Sequence, residues 1–308
     1  MENKYSKEFG VRFSWTQKSK FLKEIEKDLK ELGYESSIHS KRIRFSKVRN
    51  LIAGNLKSAK KIVIVPYDTP SLILWPNYKY YPLEGDYFIR KHFAPAFLPM
   101  IVAYFILLAM IYIFPQFLND FAQVVLFLMA VAYLVVLLIF IIRGFACPHN
   151  RNRNDASIKM ALDFIQAMDA KTKKEIAFVF MDHASMKGYG SQVFGEYLEE
   201  LHKNPKKIVL NCVGRGEEIA IGFSKGMRKD AIELSRRCKE YNIKTKSMSE
   251  LDLMHTPAHA LSDVLYISCG KFEEEHFVVY DTAGFKDKKI DEKRCEEVKN
   301  IVQTYIQM

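Results

Sequence analysis

Apolar positions along the chain follow two different patterns. Over Gln17 to Leu32, Phe21, Leu22, Ile25, Leu29 and Leu32 recur at the spacing of one helix face, and Gly33 supplies a stop. Arg42 to Phe45, Asn50 to Ala53 and Lys61 to Val65 read as strands, the last a buried one ending at Pro66. Farther along, Met160 to Met168, Gln192 to His202, Lys229 to Tyr241 and Asp291 to Gln307 have helical spacing. Between them Ile176 to Met181, Ile208 to Val213, Glu218 to Phe223 and Val264 to Ser268 read as strands. That alternation predicts an α/β fold: a mostly parallel, mixed sheet with helices on both faces. The second pattern has no period. Phe93 to Phe114 and Phe121 to Ile142 are apolar on every side, with only Gln123 as a strongly polar interruption.

Each unpatterned run is long enough to cross a hydrocarbon core of roughly 30 Å as a helix. Neither holds an ionised side chain, which would cost about 3 kcal/mol at mid-bilayer. A short turn, Pro115 to Asp120, joins them, so the expectation is a transmembrane hairpin over residues 91–143. It would divide one soluble α/β domain into residues 1–90 and 144–308. Arg90, Lys91 and His92 precede the hairpin and Arg143, Arg151 and Arg153 follow it, whereas its tip offers only Asn119 and Asp120. Positive-inside counting puts both flanks, and the soluble domain, on the cytoplasmic side of a bacterial-type cytoplasmic membrane. Met1 to Gly10 lacks the apolar core of a secretory signal, so the first span is expected to direct insertion itself. Trp75, Tyr78, Tyr80, Tyr81 and Tyr87 just ahead of it are expected to form an interfacial aromatic belt.

The formal net charge is +10. The basic residues are spread through the chain and gather near the spans, which fits anionic lipid headgroups better than nucleic acid. Cys147, Cys212, Cys238, Cys269 and Cys295 form no C-x-x-C pair, which argues against a disulfide frame or a cysteine zinc site. The partners expected are the lipid bilayer and a membrane-proximal protein or peptide.

In sheets of this kind, sites form at the carboxyl ends of strands. Those ends are Pro66-Tyr67-Asp68-Thr69, Asp182-His183-Ala184-Ser185 and Asn211-Cys212-Val213-Gly214, with the loops Asn154-Asp155-Ala156-Ser157 and Tyr280-Asp281-Thr282. Their order and spacing resemble zinc peptidase family 28, the di-zinc aminopeptidases, in its membrane-anchored bacterial branch. Arg153-Asn154-Asp155-Ala156-Ser157 looks like the family's Asn-Asp-Asn-Ala-Ser, Leu210 to Gly214 like the stretch containing its Asp-Cys-Val-Gly, and Tyr280-Asp281-Thr282 like its Tyr-His-Thr.

The resemblance implies two zinc ions held by a His, a bridging Asp, a Glu, a second Asp and a final His, with another Glu activating water. Carried over position by position, the first His is Pro66, the bridging Asp is Asn154, the catalytic Glu is Ala184 and the ligand Glu is Ser185. The second Asp is Asn211 and the final His is Asp281. Asp68 matches a carboxylate that orients the first His in the family. These changes imply a binding or regulatory module with no cofactor and no metal ligands, because Ala184 cannot serve as the general base. Neutralising carboxylates also suits a pocket without a dication: one close pair costs about 4 kcal/mol at an effective dielectric of 20.

The alternative is a hydrolase with a remodelled site for zinc or another divalent metal, built from Asp155, Asp182, His183 and His255, with Asp281 and His259 nearby. Against it, Asp155 is expected to cap the helix around Met160 and Asp182 to cap the next turn. Pro257 disfavours a helical His255-to-His259 pair. As a single pair, spans this apolar do not line a transport pathway.

Overall fold

The computed structural model describes residues 4–44, 46–184 and 188–308. Its helices are α1 (Lys4–Glu8), α2 (Trp15–Glu31), α3 (Gly85–Leu108), α4 (Asp120–Arg143), α5 (Ala156–Ala167), α6 (Ala170–Glu175), α7 (Tyr189–Glu200), α8 (Arg228–Arg237), α9 (Glu250–Met254) and α10 (Glu292–Gln307). Its strands are β1 (Ser36–Ile43), β2 (Ser46–Ala53), β3 (Lys61–Pro66), β4 (Lys79–Tyr80), β5 (Ile176–Met181), β6 (Lys206–Leu210), β7 (Glu218–Phe223), β8 (Lys244–Ser247), β9 (Val264–Glu273) and β10 (His276–Tyr280).

The strands form one mixed sheet in the order β1-β2-β5-β3-β6-β9-β10-β4, with β7 and β8 branching from β9. Its centre is parallel: β3 runs between β5 and β6, and β6 pairs with β9 in the same sense. Because successive strand residues face opposite ways, β3 supplies both layers. Val63 and Val65 meet α2, α5, α8 and α10 on one face, while Ile62 and Ile64 meet α7, α9 and the 78–83 segment on the other.

Helix α2 begins at a capping box, in which the Ser14 hydroxyl accepts from Gln17 N and Gln17 Oε1 accepts from Ser14 N. The β1–β2 hairpin turns at Arg44; Phe45, expected at the end of a strand, lies outside the described residues.

Between β4 and β5 the chain leaves the domain. Helix α3 starts at Gly85, earlier than the apolar run predicts, because its first turn is anchored on the soluble domain: Gly85 N donates to Asp252 Oδ1 at 2.7 Å. A π-helical turn, Ala109–Ile113, and a 3-10 turn, Phe114–Phe117, carry it to the tip. Helix α4 returns alongside, with Tyr133 Oη donating to Ala103 O at 3.1 Å. Most of the large apolar side chains on both helices are exposed, so they are candidate membrane spans.

The base of α4 is fixed beside the end of β3. Ser71 bridges Ala146, Leu72 N donates to Phe145 O, and Cys147 N donates to Pro70 O. The expected aromatic belt is corrected here: Tyr78, Tyr80 and Tyr81 are buried. Tyr80 belongs to β4, and Tyr78 and Tyr80 are part of the second core layer.

Candidate functional site

The carboxyl ends of β3, β5 and β6 lie side by side, so Asp68, Asp182 and Asn211 are brought to one edge of the sheet. The loop before α5 closes against it. Asn154 Nδ2 donates to the Asp68 carbonyl, and Asp68 Oδ1 accepts from Ala184 N at 3.0 Å. Asn211 Oδ1 accepts from the Cys212 thiol at 2.8 Å. Asp68, Asn154, Asp155, Asp182 and Asn211 are all buried. Ser185 lies outside the described residues.

Two buried ion pairs lie among these residues. Arg12, fully buried, places one terminal nitrogen 2.6 Å from Asp155 Oδ1 and the other 2.6 Å from the Phe9 carbonyl, and donates Nε–H to Tyr67 O. Lys18, from α2, lies 2.6 Å from Asp182 Oδ1, while Asp182 Oδ2 accepts from Arg49 N. The expectation that Asp155 caps a helix is therefore corrected. It makes no capping bond and faces the guanidinium instead, because the chain before α5 is already wound as a π-helical turn. Burial raises its carboxyl above the usual value, with Arg12 opposing. Asp182 does accept from the backbone of the next residue, His183 N, at 2.9 Å.

Ala184 and Arg153, adjoining these residues in the chain, border a cavity of about 700 Å³. Arg153, Ala184, Tyr78 and Tyr80 line it from the domain; Phe88, His92, Phe93 and Phe97 line it from α3; His255 and Thr256 close another side. His92 Nδ1 is 3.0 Å from Tyr78 Oη, and the His255 ring packs on Phe88 at 5.3 Å. Burial, then the neighbouring His259, lowers the His255 pKa.

The other candidates are dispersed. Asp281, in a left-handed backbone conformation at the end of β10, pairs with Arg215 at 3.2 Å and opens into a second cavity with Asn152 and Asp291. His183 is part-exposed beside Asp182, and His259 packs against Gly188. Pro66 ends β3. Among the described residues, no three His, Cys, Asp or Glu side chains are grouped so as to hold a metal ion.

Four contributors were not legible from local sequence: Arg12, Lys18, Arg153 and Asp287. Asp287 is buried and accepts from Asn152 N at 2.7 Å and Arg153 N at 3.2 Å, shaping the loop that carries Asn154. Burial pushes its carboxyl up to about 7.

No family model and no curated protein matches the sequence. Solved structures do match in fold. A Bacteroides thetaiotaomicron glutaminyl cyclase, solved with N-acetylhistamine, has a TM-score of 0.61 at 12% identity, covering 97% of this chain and 92% of its own. A leucine aminopeptidase precursor from the same organism has a TM-score of 0.60 at 12% identity, with the same coverages. Porphyromonas gingivalis glutaminyl cyclase has a TM-score of 0.59 at 12% identity, covering 97% of this chain and 93% of its own. The chain therefore has the α/β fold shared by these aminopeptidases and glutaminyl cyclases.

Proposed function

We propose that this protein is a membrane-anchored, non-hydrolytic form of the aminopeptidase and glutaminyl cyclase fold, with its soluble domain on the cytoplasmic side, acting as a binding or regulatory module. The observation that carries the reading is the fate of the nearby carboxylates. Asp155 is held by Arg12 and Asp182 by Lys18, both inside the protein at 2.6 Å. A cation already stands against both of these carboxylates.

The remaining positions fit zinc no better. Pro66 has no donor side chain, Ala184 has no base, Asn154 directs its amide N–H₂ to the Asp68 carbonyl, and Asn211 accepts from a thiol. The remodelled-hydrolase alternative would have to combine Asp281, in the second cavity, with His255, in the first. A basic flank on each span and a bare apolar surface support anchoring with the domain inside.

The test is metal analysis of the full chain purified in detergent without chelator, together with assays for release of amino acids from peptides and for cyclisation of N-terminal glutamine. Sub-stoichiometric metal and no turnover are expected. Stoichiometric zinc with chelator-sensitive turnover would overturn the proposal.

A further inference from the structure

Arg153 is 5% exposed yet lines the large cavity. Its guanidinium lies 4.4 Å from the centre of the Tyr80 ring, and its Nε has no hydrogen-bond partner among the described residues. No carboxylate of the described residues forms an ion pair with it. The groups that bear on it most strongly are Cys212, Tyr80, Tyr78 and Tyr266. All four are neutral near pH 7: burial pushes the Cys212 thiol up to about 12 and raises the three phenols. His92 and His255, the other nitrogen bases in the cavity, add no negative charge. A buried cation without a counterion is costly, and a guanidinium is the side chain best matched to a planar or tetrahedral oxyanion.

The rest of the wall says what carries the anion. Phe93 and Phe97 belong to the apolar run of α3, and both line the cavity while remaining substantially exposed. The cavity is therefore continuous with the surface that a bilayer would cover, and Arg90 and Lys91 beside it are exposed cations that would favour an anionic leaflet.

The geometry points to a binding site for an anionic phospholipid, its phosphate against the Arg153 guanidinium and its acyl chain along Phe93 and Phe97 of the first span. This rests on the membrane-anchored, non-hydrolytic reading above and names its ligand class.

The test uses the full chain in a non-ionic detergent, supplied with 1-palmitoyl-2-oleoyl-phosphatidylglycerol, with the phosphatidylcholine counterpart, or with inorganic phosphate alone. Lipid retained is counted by native mass spectrometry and the melting temperature is followed. Phosphatidylglycerol should be retained at one per chain, at least tenfold better than phosphatidylcholine, and should raise the melting temperature. Arg153→Gln should abolish the preference, and Arg153→Lys should keep part of it. Ile89→Glu, at an exposed position of the cavity wall, should weaken retention by charge repulsion without touching Arg153, which covers failure of the arginine variants to fold.

Equal retention of both lipids, or full retention by both Arg153→Gln and Ile89→Glu, would overturn the site. Stabilisation by inorganic phosphate equal to that by phosphatidylglycerol would replace the lipid with a soluble anion. Displacement of bound lipid by a short peptide with a free carboxylate would replace it with a peptide end. None of these outcomes depends on metal content or turnover, so failure of this site is distinguishable from failure of the functional reading.

Discussion

Two arginines buried within the same domain are treated in opposite ways. Arg12 is enclosed by an aspartate and two carbonyls, with each of its three nitrogens donating a hydrogen bond. Arg153 faces a cavity and rests on an aromatic ring, with no ion-pair partner among the described residues. The first is a structural clamp: it ties the N-terminal segment to the loop before α5, residues far apart in sequence, and fixes the floor of the strand ends. The second stacks on Tyr80 and forms no ion pair among the described residues. Burial alone therefore does not distinguish a cation that holds the protein together from one that awaits a ligand; the accounting of its partners does.

The sharpest way to break this contrast is Arg12→Ala. It leaves Asp155 buried without a counterion, and a loss of about 3–5 kcal/mol is expected, measured by chemical denaturation in detergent. Arg12→Met combined with Asp155→Leu removes both charges, and most of that loss should be recovered; a double variant as unstable as the single one would mean that the carbonyl contacts of Arg12, not the ion pair, matter most. Arg153→Met, by contrast, should change stability by under about 1 kcal/mol in the absence of ligand, since it trades an uncompensated charge for apolar volume. A loss comparable to that of Arg12→Ala would make Arg153 a second clamp.

The remaining effect concerns pH and Asp287, whose carboxyl accepts the backbone amide of Arg153. Its pKa is about 7 in the fold, against about 4 in an unfolded chain. The native state therefore holds an extra proton between those values. The stabilising contribution is fully present below the unfolded value and is lost as pH rises through about 7. Denaturation midpoints should fall between pH 5 and pH 8, and Asp287→Asn should flatten that slope.

Much of the scaffold was legible because it repeats locally. Phe21, Leu22, Ile25 and Leu29 mark α2, and Lys61 to Val65 marks the central strand. β8, Lys-Thr-Lys-Ser, was missed because its side chains are largely solvated and carry no apolar signal. Tyr78 and Tyr80 were misread because amphipathic rings look alike at a membrane interface and in a core. The site was legible only as positions. Asp68, Asp182 and Asn211 could be placed at strand ends, but whether Asp155 caps a helix or meets Arg12 depends on a contact between residues 143 apart. Nothing in the neighbourhood of either residue encodes that contact.

The sheet order has a consequence for how the protein is made. β5 lies between β2 and β3, although both of those are synthesised before the hairpin and β5 after it. A ribosome that has released only the first 143 residues has delivered β2 and β3, but not the strand that joins them. The sheet cannot close until the chain has gone out along α3 and come back along α4, so both apolar helices are made before the domain can fold. Until β5 arrives, a nascent chain presents the open edge of β2, an unpaired β3 and two bare apolar helices together, a state exposed to aggregation and proteolysis.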